Sequence, residues 1–588
     1  MRCSVSIYKK LRKIIFILIP IYIFIIALCT GYPLFETNDD VYLMDVLSGN
    51  IIGEPYAVTS YFHVFLGFVI SSLYRLAYFP WFPIFIIACN LLGQMAIYAG
   101  LYDLLQKKNV HAGIKLFVLI FMLPISSYLC FLPSYTTSAT LIGVVSIYLL
   151  YKDKRVLSLV CLALATAIRM QSGFVVCAFW GLSYIYLHFL NNKKFTWDFF
   201  IKGLLVIVLV FGVYASDELI KAQVEPKGYR EFRIEQSNYN DFAKKQLSDE
   251  ELTKTIAAAG WDNELYELSK TYFSFDDRIT ADSYKVFNAY NRAKNYDIDG
   301  VSEYLKYIAE YQLFLIHLIV FPILFLLVYI VQSILARKRS FWLGIALLFV
   351  YLLGAIYLAM LGRIIFTSAL AIVLPVIMAV IMLFVEFTYE PKESKANYID
   401  IAMLVALIAL ALLGKFTEAV IIGSIYFAFR INFKRNLAIL LALAFGVSCG
   451  YIAYDDNEKL IAKEKYECKI FTEQRRDVED YCIYNPQNIF VLSLDMGEDG
   501  VMMKDRIKYN NMFAWGSTNV HSSAFNIQME KAGLSEFDMK ILLQPNVYFI
   551  TSMPERVELL HAALSAKGYE NTYEYIDGAD YMGIYKFK

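Results

Sequence analysis

Residues 9–40 read KKLRKIIFILIPIYIFIIALCTGYPLFETNDD. A basic run (Lys9, Lys10, Arg12, Lys13) leads into an apolar stretch from Ile14 to Tyr32, and Asn38-Asp39-Asp40 follows shortly after. Basic residues favour the cytoplasmic end of a membrane helix. This order therefore puts the N-terminus in the cytoplasm and delivers the two aspartates to the outer face. The segment has the n-region and apolar core of a signal peptide. No small-x-small cleavage site follows it, so it reads as an uncleaved anchor. Adjacent carboxylates at a bilayer surface are costly unless solvated, paired or used. Asp39 and Asp40 are thus the first candidates for chemistry.

The rest of the chain agrees with a polytopic membrane protein. Of 588 residues, 58% are hydrophobic and only 18% charged, against about 45–50% and about 25% in soluble domains. The 45 tyrosines and 44 phenylalanines suit bilayer interfaces, where aromatic rings concentrate. The 54 basic and 54 acidic side chains balance, so no basic excess points to nucleic acid. Six scattered histidines do not form a His-based metal centre. Cys29, Cys89, Cys130, Cys161, Cys177 and Cys449 lie in apolar segments and read as small core residues. Cys468 and Cys482 lie in polar sequence and are open to a disulfide if that part is extracytoplasmic.

A helix needs about 20 apolar residues to cross the hydrocarbon. Spans are expected at Ile14–Tyr32, Phe82–Leu105, Ile114–Leu132, Thr136–Tyr151, Val156–Ile168, Gly173–Leu190, Phe199–Ala215, Leu313–Leu335, Phe341–Leu361, Ile364–Val385, Ile399–Leu413, Glu418–Phe429 and Leu437–Tyr454. The fold class is therefore an α-helical polytopic membrane protein with about 13 transmembrane helices. The basic loops at Lys107-Lys108, Lys152–Arg155, Lys193-Lys194, Arg337–Arg339, Lys392 with Lys395, and Lys434-Arg435 all fall on the cytoplasmic side, provided Tyr61–Tyr78 does not cross. That stretch is accordingly placed as a helix at the outer surface. Lys415 falls outside and runs against the trend.

This layout leaves residues 1–454 as a transmembrane bundle with outer loops 33–81 and 216–312. Residues 455–588 form an extracytoplasmic domain. In the second loop, Asp249–Ala259 and Ala281–Lys294 read as helices. In the C-terminal domain, Asn488–Leu494, Val547–Thr551 and Tyr581–Phe587 read as strands and Pro554–Leu564 as a helix, an α/β pattern. Asp495, Glu498, Asp499 and Asp505 lack EF-hand spacing and read as a turn.

Glu36-Thr37-Asn38-Asp39-Asp40 after the first span, Ser60-Tyr61-Phe62-His63 opening the surface helix, and Ala165-Thr166-Ala167-Ile168-Arg169-Met170-Gln171-Ser172-Gly173 together resemble the GT-C-fold integral-membrane glycosyltransferases. The last segment resembles one that those enzymes often carry, with an Arg shortly before a Gly. Bacterial membrane proteins with an Asn-Asp-Asp first outer loop are similar. The overall layout also resembles oligosaccharyltransferase catalytic subunits. However, the C-terminal part has a single tryptophan, Trp515, and no Trp-Trp-Asp motif. Transfer to a glycan, a lipid or a cell-wall polymer is then expected rather than protein N-glycosylation.

The resemblance implies a donor sugar on a polyprenyl phosphate, an acceptor glycan or lipid, and membrane lipid as surroundings. A bacterial cell membrane is the expected location. The acceptor hydroxyl needs a base, which a carboxylate supplies when burial or a like charge raises its pKa. Asp39 and Asp40 are equivalent candidates. Whichever is not the base orients the acceptor or holds a divalent cation such as Mg or Mn. Alternatively, Asn38-Asp39-Asp40 is a turn capping a helix over Val41–Leu47. The leaving phosphate needs a cation, and Arg169 and Arg363 lie at outer span ends where the positive-inside trend does not put them. His63 and the pair Asp276-Asp277 are further candidates for the acceptor site. A transporter or flippase of lipid-linked glycans, or a non-catalytic assembly protein, are the alternatives. No Gly-rich phosphate loop, Gly-x-Ser-x-Gly or His-Glu-x-x-His occurs, which argues against NTP-driven pumps and those hydrolase classes.

Overall fold

The computed structural model describes residues 2–30, 33–107, 112–192, 196–241, 247–294, 313–335, 338, 340–361, 363–386, 480–493, 511–515, 520–534, 538–579 and 582–588. The spans expected after Val385, the basic pairs at 392–395 and 434–435, Cys468 and the acidic turn at 495–505 lie outside these residues.

The leading anchor is two helices, α1 (Arg2–Ile17) and α2 (Ile19–Thr30). The break falls at Leu18, next to Pro20, which has no N–H for the helical ladder. Then come α3 (Asn38–Ser48) and α4 (Val64–Leu76). The 13 residues of α4 rise about 20 Å, short of the roughly 30 Å hydrocarbon core. Its length therefore fits a surface helix. Next are α5 (Trp81–Gln106), α6 (Ala112–Phe131), α7 (Tyr135–Tyr151), α8 (Arg155–Ile168), α9 (Met170–Asn192) and α10 (Trp197–Val224). The second loop supplies α11 (Tyr229–Asp241), α12 (Asp249–Ala258), α13 (Asn263–Ser269) and α14 (Ala281–Lys294), and the bundle resumes with α15 (Leu313–Leu335), α16 (Phe341–Met360) and α17 (Phe366–Glu386). Every span expected up to Val385 is thus a helix. Among the described residues, six apolar helical stretches are long enough to cross a membrane, the first of them running through α1 and α2; α7 and α8 are shorter apolar helices.

Helix α17 is apolar all round and buried along its length, as a helix at a bundle centre must be. It packs in one core with α5, α6, α7, α9, α15 and α16. By contrast, α10 exposes Leu204, Leu205 and Val208, and α8 exposes Val156 and Val160, a face suited to lipid. The two ends of the bundle differ. At one end Asp103 of α5 pairs with Lys13 of α1 at 3.0 Å and with Lys152, just past α7, at 2.6 Å. At the other end of α7 stands Tyr135. The 17 residues between them rise about 25 Å.

The 28 residues of α10 rise about 42 Å, longer than the roughly 30 Å hydrocarbon core. Its last turns meet the first loop. Val64 N donates to Asp217 Oδ1 at 2.8 Å, and Lys221 Nζ donates to the Phe62 carbonyl at 3.0 Å.

The C-terminal part carries a five-stranded sheet ordered β2-β1-β3-β5-β4: β1 is Ile489–Leu492, β2 Met512–Ala514, β3 Val547–Thr551, β4 Tyr573–Ala579 and β5 Met582–Phe587. Strands β2, β1 and β3 run parallel; β5 pairs antiparallel with both β3 and β4. Two helices, α18 (Ser523–Lys531) and α19 (Pro554–Ala566), accompany it. Strands β2 and β4 escape a pattern reading: β2 is three residues long, and β4 is mostly exposed. Cys482 is buried against the sheet.

The second loop and the C-terminal part share one core. Phe232, Trp261, Phe273 and Tyr284 pack with Val491, Trp515, Phe549 and Leu560. Phe273 and Trp515 meet edge to face at 5.2 Å, and Ser274 N donates to the Trp515 carbonyl at 3.1 Å. Two segments that the sequence presents separately thus make a single body with its own core.

Candidate active site

Helix α3 starts earlier than a turn capping Val41–Leu47 would allow. Its N-cap is Thr37, in extended conformation, and Asp39 and Asp40 sit inside the first turn. Acidic side chains there favour the positive end of the helix dipole. The Thr37 hydroxyl does not cap the backbone; it donates to Asp40 Oδ2 at 2.6 Å.

The structure separates the two aspartates. Asp40 is 0% exposed, and its Oδ1 accepts the backbone N–H of Tyr135 at 2.6 Å. That N–H belongs to the first turn of α7, where no carbonyl of the helix can accept it. Ser134 and Thr137 form a capping box beside it. Asp40 therefore fastens α3 to the start of α7. Burial pushes its carboxyl well above the usual carboxylate range, against the opposing pull of the Thr37 hydroxyl and the Tyr135 amide. Asp39 is half-buried, and its Oδ2 accepts the Tyr135 hydroxyl at 3.4 Å. Both Asp40 oxygens already have donors, and its burial favours the protonated acid. The pair does not suit a shared divalent cation, which needs ionised oxygen ligands.

Tyr135 is the hub. Arg169 lies over its ring at 4.8 Å and donates from Nη1 to its hydroxyl and to Thr136 Oγ1. Arg169 is the single extended residue between α8 and α9. The sharp junction depends on Gly173: a Cβ there would lie 2.5 Å from the Thr166 Cα and 2.4 Å from its Oγ1. Glycine lets the first turn of α9 press on the last turn of α8, and Arg169 is left at the apex. This is the physical content of an Arg placed shortly before a Gly.

Tyr61 extends the arrangement, its ring 6.0 Å from that of Tyr135. Arg233 of α11 stacks on Tyr61, 4.0 Å from its ring, and it interacts electrostatically with Asp39. Ser60 Oγ and Tyr229 OH, 2.7 Å apart, bring α11 against the first loop. Each ring of the tyrosine pair thus carries a guanidinium, beside a half-buried carboxylate. Cations stacked on aromatic faces keep charge in a partly desolvated place. Neither Tyr135 nor Arg233 was singled out from sequence. The available signal for Arg233 was a basic residue beside Phe232 in an amphipathic run.

His63 is the N-cap of α4: its Nδ1 accepts from Phe65 N at 3.0 Å, so Nε2 carries the proton and donates to the Val213 carbonyl at 3.1 Å. Its own backbone N–H donates to the Ala167 carbonyl at 3.0 Å. Both ring nitrogens serve local structure. Arg363, between α16 and α17, reaches the same end of the bundle by another route. Phe366, three residues on, meets the Tyr128 ring at 3.9 Å, and the Tyr128 hydroxyl donates to Glu36 Oε1 at 2.7 Å. Asp276 and Asp277 belong to the body that the second loop forms with the C-terminal part. Arg278 holds Asp276 at 2.9 Å, and Lys567 reaches Asp276 at 3.2 Å, Asp277 at 2.7 Å and also Asp538. Among the described residues these three carboxylates form the one acidic cluster close enough for a cation, and the Lys567 ammonium already sits among them.

No family model and no curated protein sequence matches the chain. Among solved structures it is similar to two crystal structures of ArnT from Cupriavidus metallidurans, one in the apo state and one bound to undecaprenyl phosphate. The TM-scores are 0.46 and 0.45, at 10% sequence identity in each, covering 98% of this chain and 97% of that one.

Proposed function

We propose that this protein is a membrane glycosyltransferase that moves a sugar from a polyprenyl-phosphate donor to a glycan or lipid acceptor at the outer face of the membrane. The observation that carries this is the half-buried Asp39 next to Tyr135, Arg169 and Arg233, at the end of the bundle away from Lys13 and Lys152. Those two lysines meet on one aspartate, as cytoplasmic basic residues at one membrane face would. On this reading the Asp39 end and the body that the second loop forms with the C-terminal part face outward.

Asp39 is the base in this scheme. It takes the acceptor's hydroxyl proton as the acceptor oxygen bonds to the anomeric carbon. The bond from that carbon to the phosphate oxygen breaks, and the polyprenyl phosphate leaves with the electron pair. Displacement from the opposite face inverts the anomeric centre. Arg169 and Arg233 offset the charge on the leaving phosphate through guanidinium donors, and Tyr135 holds Arg169 and Asp39 in register. Arg363 is a further phosphate contact on the same side. Asp40 is a positioning residue: it locks α3 onto α7.

The test is sugar release from polyprenyl-phosphate-linked sugars by the full-length protein in lipid nanodiscs, together with glycan profiling of producing cells. Asp39→Asn is expected to lower turnover at least about 100-fold, the lower range for losing a general base. Equal turnover by this variant and the parent would overturn the assignment.

A further inference from the structure

The C-terminal domain grips the helix that carries the acid pair. Helix α18 lies along the first loop and contacts it at both ends. At its C-terminal end, Lys531 Nζ donates to the Ile52 carbonyl and pairs with Glu54, each at 2.9 Å. At its N-terminal end, the Tyr56 hydroxyl donates to Ser523 Oγ at 3.1 Å. Glu225, at the end of α10, accepts the Ser523 backbone N–H at 2.7 Å. Between these ends, Ala524, 5% exposed, packs with Val46 and Ile52.

The gripped loop is in turn bonded to the last turn of α3. Asn50 N donates to the Asp45 carbonyl at 2.9 Å, and Asn50 Nδ2 to Asp45 Oδ1 at 3.1 Å. Tyr56 N donates to the Val46 carbonyl at 3.1 Å. Gly49, at φ +83°, makes the turn, and its α-carbon faces the Glu54–Pro55 backbone so closely that a Cβ would sit 2.3 Å from Glu54 C. Arg75 of α4 donates to the Pro55 carbonyl at 2.9 Å and closes the loop from below. The helix itself is a single rod of 11 residues, and Val46 is about 9 Å along its axis from Asp40.

We infer that α18, through Lys531 and Ala524, is a positioning device for the acid pair: by clamping residues 46–56 it fixes the axial placement of α3, and with it Asp39 and Asp40. This gives the C-terminal domain a part in the reaction without its touching substrate. The kinetic half of the inference rests on the proposed transferase reading; the structural half does not.

Two perturbations test it on the full-length protein in nanodiscs. Ala524→Arg puts a long cation into the contact with Val46 and Ile52. Lys531→Glu breaks the ion pair, and adding Glu54→Lys rebuilds it with reversed charges. The first readout is hydrogen exchange, by mass spectrometry, in peptides from residues 38–48, with α17 as the unaffected reference. Ala524→Arg is expected to speed exchange in 38–48 about tenfold or more, as local opening becomes easier. Lys531→Glu is expected to give a smaller increase, and the double variant to recover part of it. The second readout is turnover: kcat falls in step with the exchange change, whereas KM for the lipid-linked sugar stays the same. Faster exchange at 49–56 with no change at 38–48 would overturn the inference, as would a charge-swapped double variant no better than Lys531→Glu alone. If Ala524→Arg does not fold, the charge-swap series decides. If exchange responds as expected but the parent protein transfers no sugar, the clamp stands and the transferase reading falls.

Discussion

Asp40 offers the sharpest separation between a structural and a chemical carboxylate. Its two oxygens accept the Tyr135 amide and the Thr37 hydroxyl in a fully buried place. Asp40→Ala leaves both donors without an acceptor, at about 1–3 kcal/mol each, so a loss of about 2–6 kcal/mol is expected. Asp40→Asn keeps an oxygen for the Tyr135 amide and offers its Nδ2–H to the Thr37 hydroxyl oxygen, with no charge to bury, and is expected to change stability by less than about 1 kcal/mol at low pH, where Asp40 is neutral folded and unfolded. The pH dependence follows from the raised pKa. As pH rises through the ordinary value of 3.8, the unfolded chain gives up the proton while native Asp40 keeps it. The stability contributed by Asp40 is therefore complete below that pH and declines as pH rises through the native pKa. Asp40→Asn removes this decline, so its advantage over the parent grows with pH. The assay is unfolding of the full-length protein in a membrane mimetic across a pH series. If Asp40→Asn were as damaging as Asp40→Ala, or fell further behind the parent at higher pH, Asp40 would be an ionised group whose charge the fold needs, and the division of labour with Asp39 would be wrong.

Gly173→Ala drives a Cβ to 2.5 Å from the Thr166 Cα, an atom that cannot swing away; about 1–3 kcal/mol of destabilisation and displacement of Arg169 are expected, read as a lower melting temperature and reduced turnover. Lys567→Met leaves Asp276, Asp277 and Asp538 together without their ammonium, at about 1–3 kcal/mol. Millimolar calcium is expected to recover part of that loss in the variant while leaving the parent unmoved, and equal calcium responses would refute this. His63→Asn substitutes another good N-cap and is expected to hold transfer within about threefold of the parent, because a cap loss is at most about 2 kcal/mol and touches no reacting group. A 100-fold drop would return His63 to the chemistry.

The bundle was legible in the sequence because its signal is local: a run of apolar residues long enough to cross a membrane declares itself. The sign of the basic loops called for a Tyr61–Tyr78 stretch that does not cross, and α4, at 13 residues, is short enough to agree with it. What escaped depends on contacts between distant segments. Asp39 and Asp40 read as equals side by side, and only the arrival of α7 distinguishes them, by handing one of them an amide. Tyr135 carries no mark in its own neighbourhood of a hub for Arg169 and Asp39. Arg233 sits in a mixed-charge stretch that resembles any solvated helix until Tyr61 stacks on it. The shared core of the second loop and the C-terminal part left one trace: Trp261, Phe273, Phe275 and Tyr284 are too apolar for a loop in water, and so implied a partner without naming it.

That shared core sets an order of events during synthesis. The aromatic faces of α11 and α14 emerge with residues 229–294, yet the strands that cover them begin near residue 489. At roughly 5–20 residues per second, the interval is on the order of 10–40 s. For that time the nascent protein displays a large uncovered apolar surface beside the membrane while later helices are still being threaded. Maturation of this half is therefore post-translational in character, and a chain stopped short of the sheet leaves a sticky, permanently open intermediate of the kind that quality-control proteases remove.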